Sequence, residues 1–131
     1  MTPIKLALNM ITISDNDLYG YNAYSRSVYL KPEAKQWKLD AVDSFRQQLD
    51  ALNYDVSDLP NKLKLTIKIE SSSWVSKNGK TKKKDLSNCT KALIDSLFQA
   101  LNADDSLIYE LKLVKVIKNS DIIKIRISNA V

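Results

Sequence analysis

Leu63, Leu65, Ile67 and Ile69 alternate with Lys64, Thr66 and Lys68. A period of two belongs to a strand with one buried face, and this run predicts a strand that continues through Trp74. Ala34, Trp37, Ala41, Val42, Phe45, Leu49 and Leu52 recur instead at helical spacing. Pro32 precedes them, where its fixed φ and missing N–H suit a first helical turn. A helix is therefore predicted from Pro32 to about Leu52. Cys89, Leu93, Leu97 and Leu101 form a second apolar arc, predicting a helix over about Ser87 to Leu101. Ile4 to Ile13, Ile108 to Val116 and Ile122 to Ile127 read as further strands, the last two joined by a turn around Asn119 and Ser120. Asn78-Gly79 is a tight-turn signal and suggests a hairpin tip. Asn16 to Ser27, polar and tyrosine-rich with Gly20, reads as a loop, and Tyr54 to Asn61, with Pro60, as a connector. The order β-α-β(β)-α-β-β predicts an α+β fold: one mixed β-sheet covered mainly on one face by two helices. No repeat, low-complexity segment or long linker divides the chain, so residues 1–131 are expected to form a single domain around one core.

Composition narrows the function. Apolar residues make up 44% of the 131, an ordinary globular share. The net charge of +5 favours an acidic partner, nucleic acid first and an anionic membrane second. No apolar run approaches the roughly 18 residues that span a bilayer, and the N-terminus lacks the basic and apolar regions of a signal peptide. Cys89 is the only cysteine, which excludes an intrachain disulfide and fits a reducing cytoplasm. The absence of histidine removes Ser-His-Asp and Cys-His catalysis and histidine metal sites together. Hydrolytic chemistry would have to rest on carboxylates, lysine and a metal ion.

The segment from Lys82 to Ile108, KKKDLSNCTKALIDSLFQALNADDSLI, concentrates those groups. Carboxylates beside a basic surface suit hard cations acting on phosphodiesters. On a helix, Asn88, Lys91 and Asp95 would fall within roughly 60° of one another, away from the apolar arc. Asp85 precedes that helix and Asp104-Asp105 follow it, so they can meet only if the next strand folds back along the helix. Asp85 and Ser87 are also good helix N-caps, and paired acids in a loop are often only a solvated turn. Lys91 is either an ordinary exposed lysine or a cation that stabilises charge on a phosphoryl oxygen; Asp95, four residues on, could orient it. Lys77, Lys80, Lys82, Lys83 and Lys84 place five lysines in eight residues, either a solvated hairpin tip that resists edge aggregation or an arm that grips phosphates. Tyr19, Tyr21, Tyr24 and Arg26 interleave rings with a cation, suited to stacking on bases or to packing over the first helix. Ile94 and Phe98 lie off the main apolar arc and suit either the sheet or a dimer interface.

The acidic segment resembles the core motif of RusA-type crossover junction endodeoxyribonucleases, the Holliday junction resolvases of phages and prophages. That motif runs Asp-Leu-Asp-Asn, a Lys three residues after the Asn, an Asp four later, then a short connector and Asp-Asp-Ser before an apolar strand. Asp85, Leu86, Asn88, Lys91, Asp95, Asp104, Asp105 and Ser106 match it in order and spacing. A weaker similarity covers Asn16 to Lys38, where RSVYLKPEAKQWK is similar to the family's loop-then-helix opening. One position departs: the family's second acid is Ser87 here.

The resemblance implies a RusA-like fold and a Mg²⁺-dependent endonuclease, with Mn²⁺ as a substitute, that resolves four-way DNA junctions in recombination and repair. It implies a homodimer, since a four-way junction offers two symmetric strands to cut. Asp85, Lys91 and Asp105 would be catalytic; Asp85, Asp104 and Asp105 would hold metal; Ser87, Asn88 and Asp95 would support them. Tyr19, Tyr21, Arg26, Lys77, Lys80, Lys82, Lys83 and Lys84 would contact DNA. Two rivals stand beside this: a junction-binding homologue weakened or inactivated by Ser87, and a general single-stranded nucleic-acid binding module.

Overall fold

Parallel pairing needs a long crossover between strands, and this chain supplies one with its second helix. The computed structural model describes residues 2–82 and 85–130. Strand β4 (Leu63–Ser71) lies parallel to β5 (Ile108–Ile117) and antiparallel to β6 (Ile122–Asn129); β1 (Ile4–Leu8) pairs antiparallel with β6. The four-stranded order is β1-β6-β4-β5. Helix α1 (Pro32–Ala51) leads into β4, and α2 (Lys91–Leu101) is the crossover from β4 to β5. The mixed α+β sheet with two helices is as the sequence pattern predicts.

The alternation in β4 assigns its faces. Leu63, Leu65, Ile67 and Ile69 are buried with Ile123, Ile125 and Ile127 of β6 and Leu6 and Leu8 of β1. Phe45 and Leu49 of α1 and Leu93, Leu97, Phe98 and Leu101 of α2 close over them. Each such side chain removed from water contributes about 1.5–3 kcal/mol. Phe98 is therefore core, not the exposed dimer contact its position off the arc allowed, and Ile94 packs partly buried against the same core.

Several boundaries differ from the pattern. β1 stops at Leu8, not Ile13. Gln48 clamps the Ala7 backbone, accepting its N–H at 2.8 Å and donating to its carbonyl at 2.6 Å, and the Trp37 indole takes the Ile11 carbonyl at 2.7 Å. Side chains of α1 thus satisfy backbone that a neighbouring strand would otherwise pair. The expected loop over Asn16 to Ser27 is mainly a hairpin, β2 (Tyr19–Asn22) against β3 (Ser27–Leu30). Its turn is held by the Asn22 Oδ1, which accepts from the N–H groups of Tyr24 and Ser25. β4 ends at Ser71, and Ser72–Trp74 form a 3₁₀ turn, with the Trp74 indole donating to the Ile69 carbonyl at 2.8 Å. The turn at Asn78-Gly79 is present, with Gly79 at φ 75° and a single bridge between Val75 and Thr81.

α2 starts later than Ser87. Leu86–Cys89 form a 3₁₀ turn, Thr90 breaks it at φ −113°, and the α-helix begins at Lys91. It ends on Asn102 in the left-handed conformation, φ 55°, a common helix terminator. Among the described residues no helix is long and apolar enough to cross a membrane.

Candidate active site

Leu18 is the anchor that builds one end of the site. It is 1% exposed, packed with Ala34 of α1 and Ala92 of α2, and its carbonyl accepts from Lys31 N–H at 2.8 Å. The residues around it are thereby fixed at the start of α2. Asp15 Oδ1 accepts the Lys91 backbone N–H at 3.2 Å, a cap contributed across 76 residues of sequence. Neither Thr90 nor Asp85 makes a side-chain capping bond of its own, so the remote carboxylate serves a free N–H at the positive end of the helix. Tyr19, from the hairpin, places its ring 4.9 Å from the Lys91 ammonium. A cation over an aromatic face is attracted by the ring quadrupole, and Lys91 is held exposed at this end.

Asp85 is exposed just before the 3₁₀ turn. Its carbonyl accepts from Asn88 N–H at 3.2 Å, and its Oδ2 lies 3.5 Å from Asn88 Nδ2. Asn88 stands in the 3₁₀ turn, so it does not share an α-helical face with Lys91 and Asp95 as the wheel supposed. Ser87 is exposed; among the described residues its side chain makes no cap, and its carbonyl accepts from the Thr90 hydroxyl at 3.1 Å. Asp95 does not pair with Lys91. Its ion pair among the described residues is with Lys38 of α1 at 3.8 Å, which ties the two helices together.

Asp104 and Asp105 lie past the other end of α2. Asp104 caps the 3₁₀ turn Asp105–Leu107, accepting the Ser106 N–H at 2.8 Å. That backbone hydrogen bond holds its carboxyl below the usual carboxylate range. An 11-residue helix is about 16 Å long, and it separates this pair from Asp85. The chain does fold back, because β5 returns to the Leu86–Cys89 turn. The acids precede that strand, however, so the returning residues are those near Lys115, whose ammonium lies 4.8 Å from the Trp74 ring. Among the described residues, no three acids or thiols converge to hold a metal ion. Among the described residues of one chain, Asp85, Asp104 and Asp105 therefore do not form such a group.

The proposed DNA contacts fall in two places. Tyr21, Tyr24 and Arg26 are exposed on the hairpin, Tyr21 on β2 and the other two at its turn; Arg26 is in the left-handed region, φ 51°. Lys77, Lys80 and Lys82 are exposed around the Gly79 turn. Lys83 and Lys84 lie outside the described residues. Asp15 was not legible beforehand. Its only signal was a Ser-Asp pair before a tyrosine-rich stretch, and nothing in the periodicity links position 15 to position 91.

A basic α+β domain with an aromatic-held lysine six residues after an exposed carboxylate is suited to phosphate esters. The family model for endodeoxyribonuclease RusA matches residues 14–128, which takes in the Asp15 cap, both helices and all but one strand. The chain belongs to the RusA endodeoxyribonuclease family. No individual curated protein matches it.

Proposed function

We propose that this protein is a structure-selective endonuclease that resolves four-way DNA junctions by paired nicks, as one nuclease domain acting in a two-fold dimer. The observation that carries the reading is the Lys91 ammonium, held over Tyr19 at a helix start whose cap is Asp15, a few residues from Asp85. An ammonium fixed in this way is preorganised for charge that gathers on a phosphoryl oxygen. Tyr19 limits the rotamers of Lys91, and Asp15 fixes the helix that carries it. The lysines at 77, 80 and 82 give sequence-independent phosphate contacts beside this end.

Metal dependence belongs to the same proposal. A divalent ion, Mg²⁺ or Mn²⁺, would supply Lewis acidity at the scissile phosphate. Since α2 keeps Asp85 and Asp105 apart within one chain, a second copy related by a two-fold axis is the simplest way to bring one chain's Asp105 to the other's Asp85.

The test is incubation of a synthetic four-way junction with the protein and Mg²⁺, with strand lengths resolved on a denaturing gel. Symmetrically placed nicks in two opposing strands are expected, lost in Asp105→Asn with junction binding intact, because phosphate contacts hold the DNA. Binding without nicking under any divalent ion would favour the weakened homologue, in which Ser87 has removed a needed charge. Equal binding to junctions and to unbranched single strands would favour the single-strand module.

A further inference from the structure

The sheet face turned away from the helices carries six cations. Cross-strand partners share a face, so the register gives its rows directly. Lys5 stands opposite Arg126, Arg126 opposite Thr66, and Thr66 beside Lys112; the next row is Ala7, Lys124, Lys68 and Val114. Lys64 continues the pattern beside Ser128 and Glu110. The six cations, with Ala7, Thr66 and Ser128 between them, line an open trough of about 780 Å³.

The charge on this face is poorly balanced. Its two carboxylates are Glu70 and Glu110. Glu70 is held by Lys124 at 2.8 Å and Lys118 at 3.4 Å, and Glu110 lies 3.9 Å from Lys64. No ion pair among the described residues ties Lys5, Lys68, Lys112 or Arg126. A solvated face that only resists aggregation ordinarily mixes signs. This one sets like charges on neighbouring strands, which costs stability unless an anion lies across them.

The dimensions suit one anion in particular. With strands about 4.8 Å apart, the row from Lys5 to Lys112 spans about 14 Å, and Lys64 to Lys68 along β4 spans about 13 Å. DNA grooves separate their two backbones by about 6 to 12 Å, so both rims of a groove fit across the grid. Ala7, Thr66 and Ser128 between the cations are small, leaving the phosphates room to approach. A second copy of the same face is excluded as occupant by like-charge repulsion.

We infer that the open face of the sheet is a second DNA surface, which grips the backbones of a double-stranded arm without regard to sequence. It lies on the side of the sheet opposite the helices, away from Lys91 and Asp85, so it would hold an arm of the substrate while the helix side addresses the nicking site. This rests on the chain acting on DNA, but not on the metal, the dimer or the roles of Asp85 and Lys91.

The experiment measures binding to a linear duplex and to a four-way junction over a salt series, for the parent, for Lys68→Gln/Lys112→Gln/Arg126→Gln and for the corresponding triple glutamate variant. Circular dichroism confirms that each is folded; the glutamine variant keeps the comparison usable if charge reversal disturbs the sheet. Duplex affinity is expected to fall roughly tenfold or more in the glutamine variant, and the log–log salt slope to flatten by roughly 0.9 for each lost phosphate contact. Unchanged affinity and slope in the glutamine variant would overturn the inference while leaving junction nicking untouched. Loss of binding to phosphatidylserine vesicles with duplex binding unchanged would overturn it in favour of a membrane surface. A parent protein that binds neither DNA would remove the functional reading itself, and the inference with it.

Discussion

At the scale of single residues, the two positions that matter most are one the motif lacks and one it does not contain. Ser87 brings a hydroxyl where the family has a carboxylate. The structure leaves its side chain exposed and uncommitted to a cap. The other acids of the motif are engaged elsewhere: Asp95 is paired with Lys38, and Asp104 accepts from the Ser106 N–H beyond the far end of α2. An added carboxylate raises Coulomb attraction for a divalent ion. Ser87→Asp is therefore expected to lower the Mg²⁺ concentration for half-maximal nicking, read from a magnesium titration; an unchanged midpoint would show that Ser87 is not limiting. Asp15 acts through backbone. Asp15→Ala removes the cap of α2 and one tether of the N-terminal segment, at a cost of about 1 kcal/mol, measurable by urea denaturation. Lys91→Ala should leave that stability nearly unchanged, since the cap uses the backbone N–H, and should instead suppress nicking. Motif spacing puts forward Asp85, Lys91 and Asp105 as candidates, because local sequence fixes their order. It could not supply Asp15 or reject the Lys91–Asp95 pair, because both depend on how distant elements pack.

At the scale of elements, alternation and helical spacing located the core strands and both helices, since burial on one face selects for them directly. They failed where polar atoms outside the pattern decide the boundary. Gln48 covers the outer edge of β1 at Ala7 and Trp37 takes the Ile11 carbonyl beyond its end, while Asn22 turns an apparent loop into a hairpin. That hairpin depends on Gly20. It sits opposite Tyr29, whose ring lies where a Cβ on residue 20 would go. Gly20→Ala must displace Tyr29 and loosen the platform that carries Tyr19. The expected result is faster proteolysis within residues 19–30 and slower nicking, with little change in global stability. A second device joins elements on the other side: Glu70 of β4 binds Lys124 of β6 and Lys118 of the β5–β6 turn. The hydrogen bond from Lys124, foremost, and the two positive charges hold the Glu70 carboxyl below its ordinary range despite its burial. With the folded-state value depressed, its stabilisation is complete above the unfolded-state value, near pH 4.3, and is lost as pH falls through the folded-state one. Glu70→Gln should thus reduce stability at pH 7 and remove part of the loss seen as the pH falls below about 4.3. Urea midpoints at several pH values would show it; parallel profiles for parent and variant would exclude the clamp.

At the scale of the whole molecule, the separation of the acids is the fact any mechanism must meet. One end of α2 carries Asp85, Lys91, Asp15 and Tyr19; beyond the other end lie Asp104 and Asp105. The crossover helix between the parallel strands, about 16 Å long, stands between the two groups. Isologous pairing of two copies can close the separation twice, making two equivalent sites. The first expectation is a mass near twice the 14.8 kDa of the chain in sedimentation equilibrium at micromolar concentration. The sharper one uses two inactive variants, Asp85→Asn and Asp105→Asn. If each site draws Asp85 from one copy and Asp105 from the other, a mixed dimer has one site with neither acid and one site with both. Mixing the variants should then restore nicking of a single junction strand, to at most half the parent's activity per dimer. If both acids came from the same chain, every site in the mixture would lack one of them and the gel would stay blank. A clean monomer, alone and on junction DNA, would remove both the shared site and the paired cut that a symmetric junction invites.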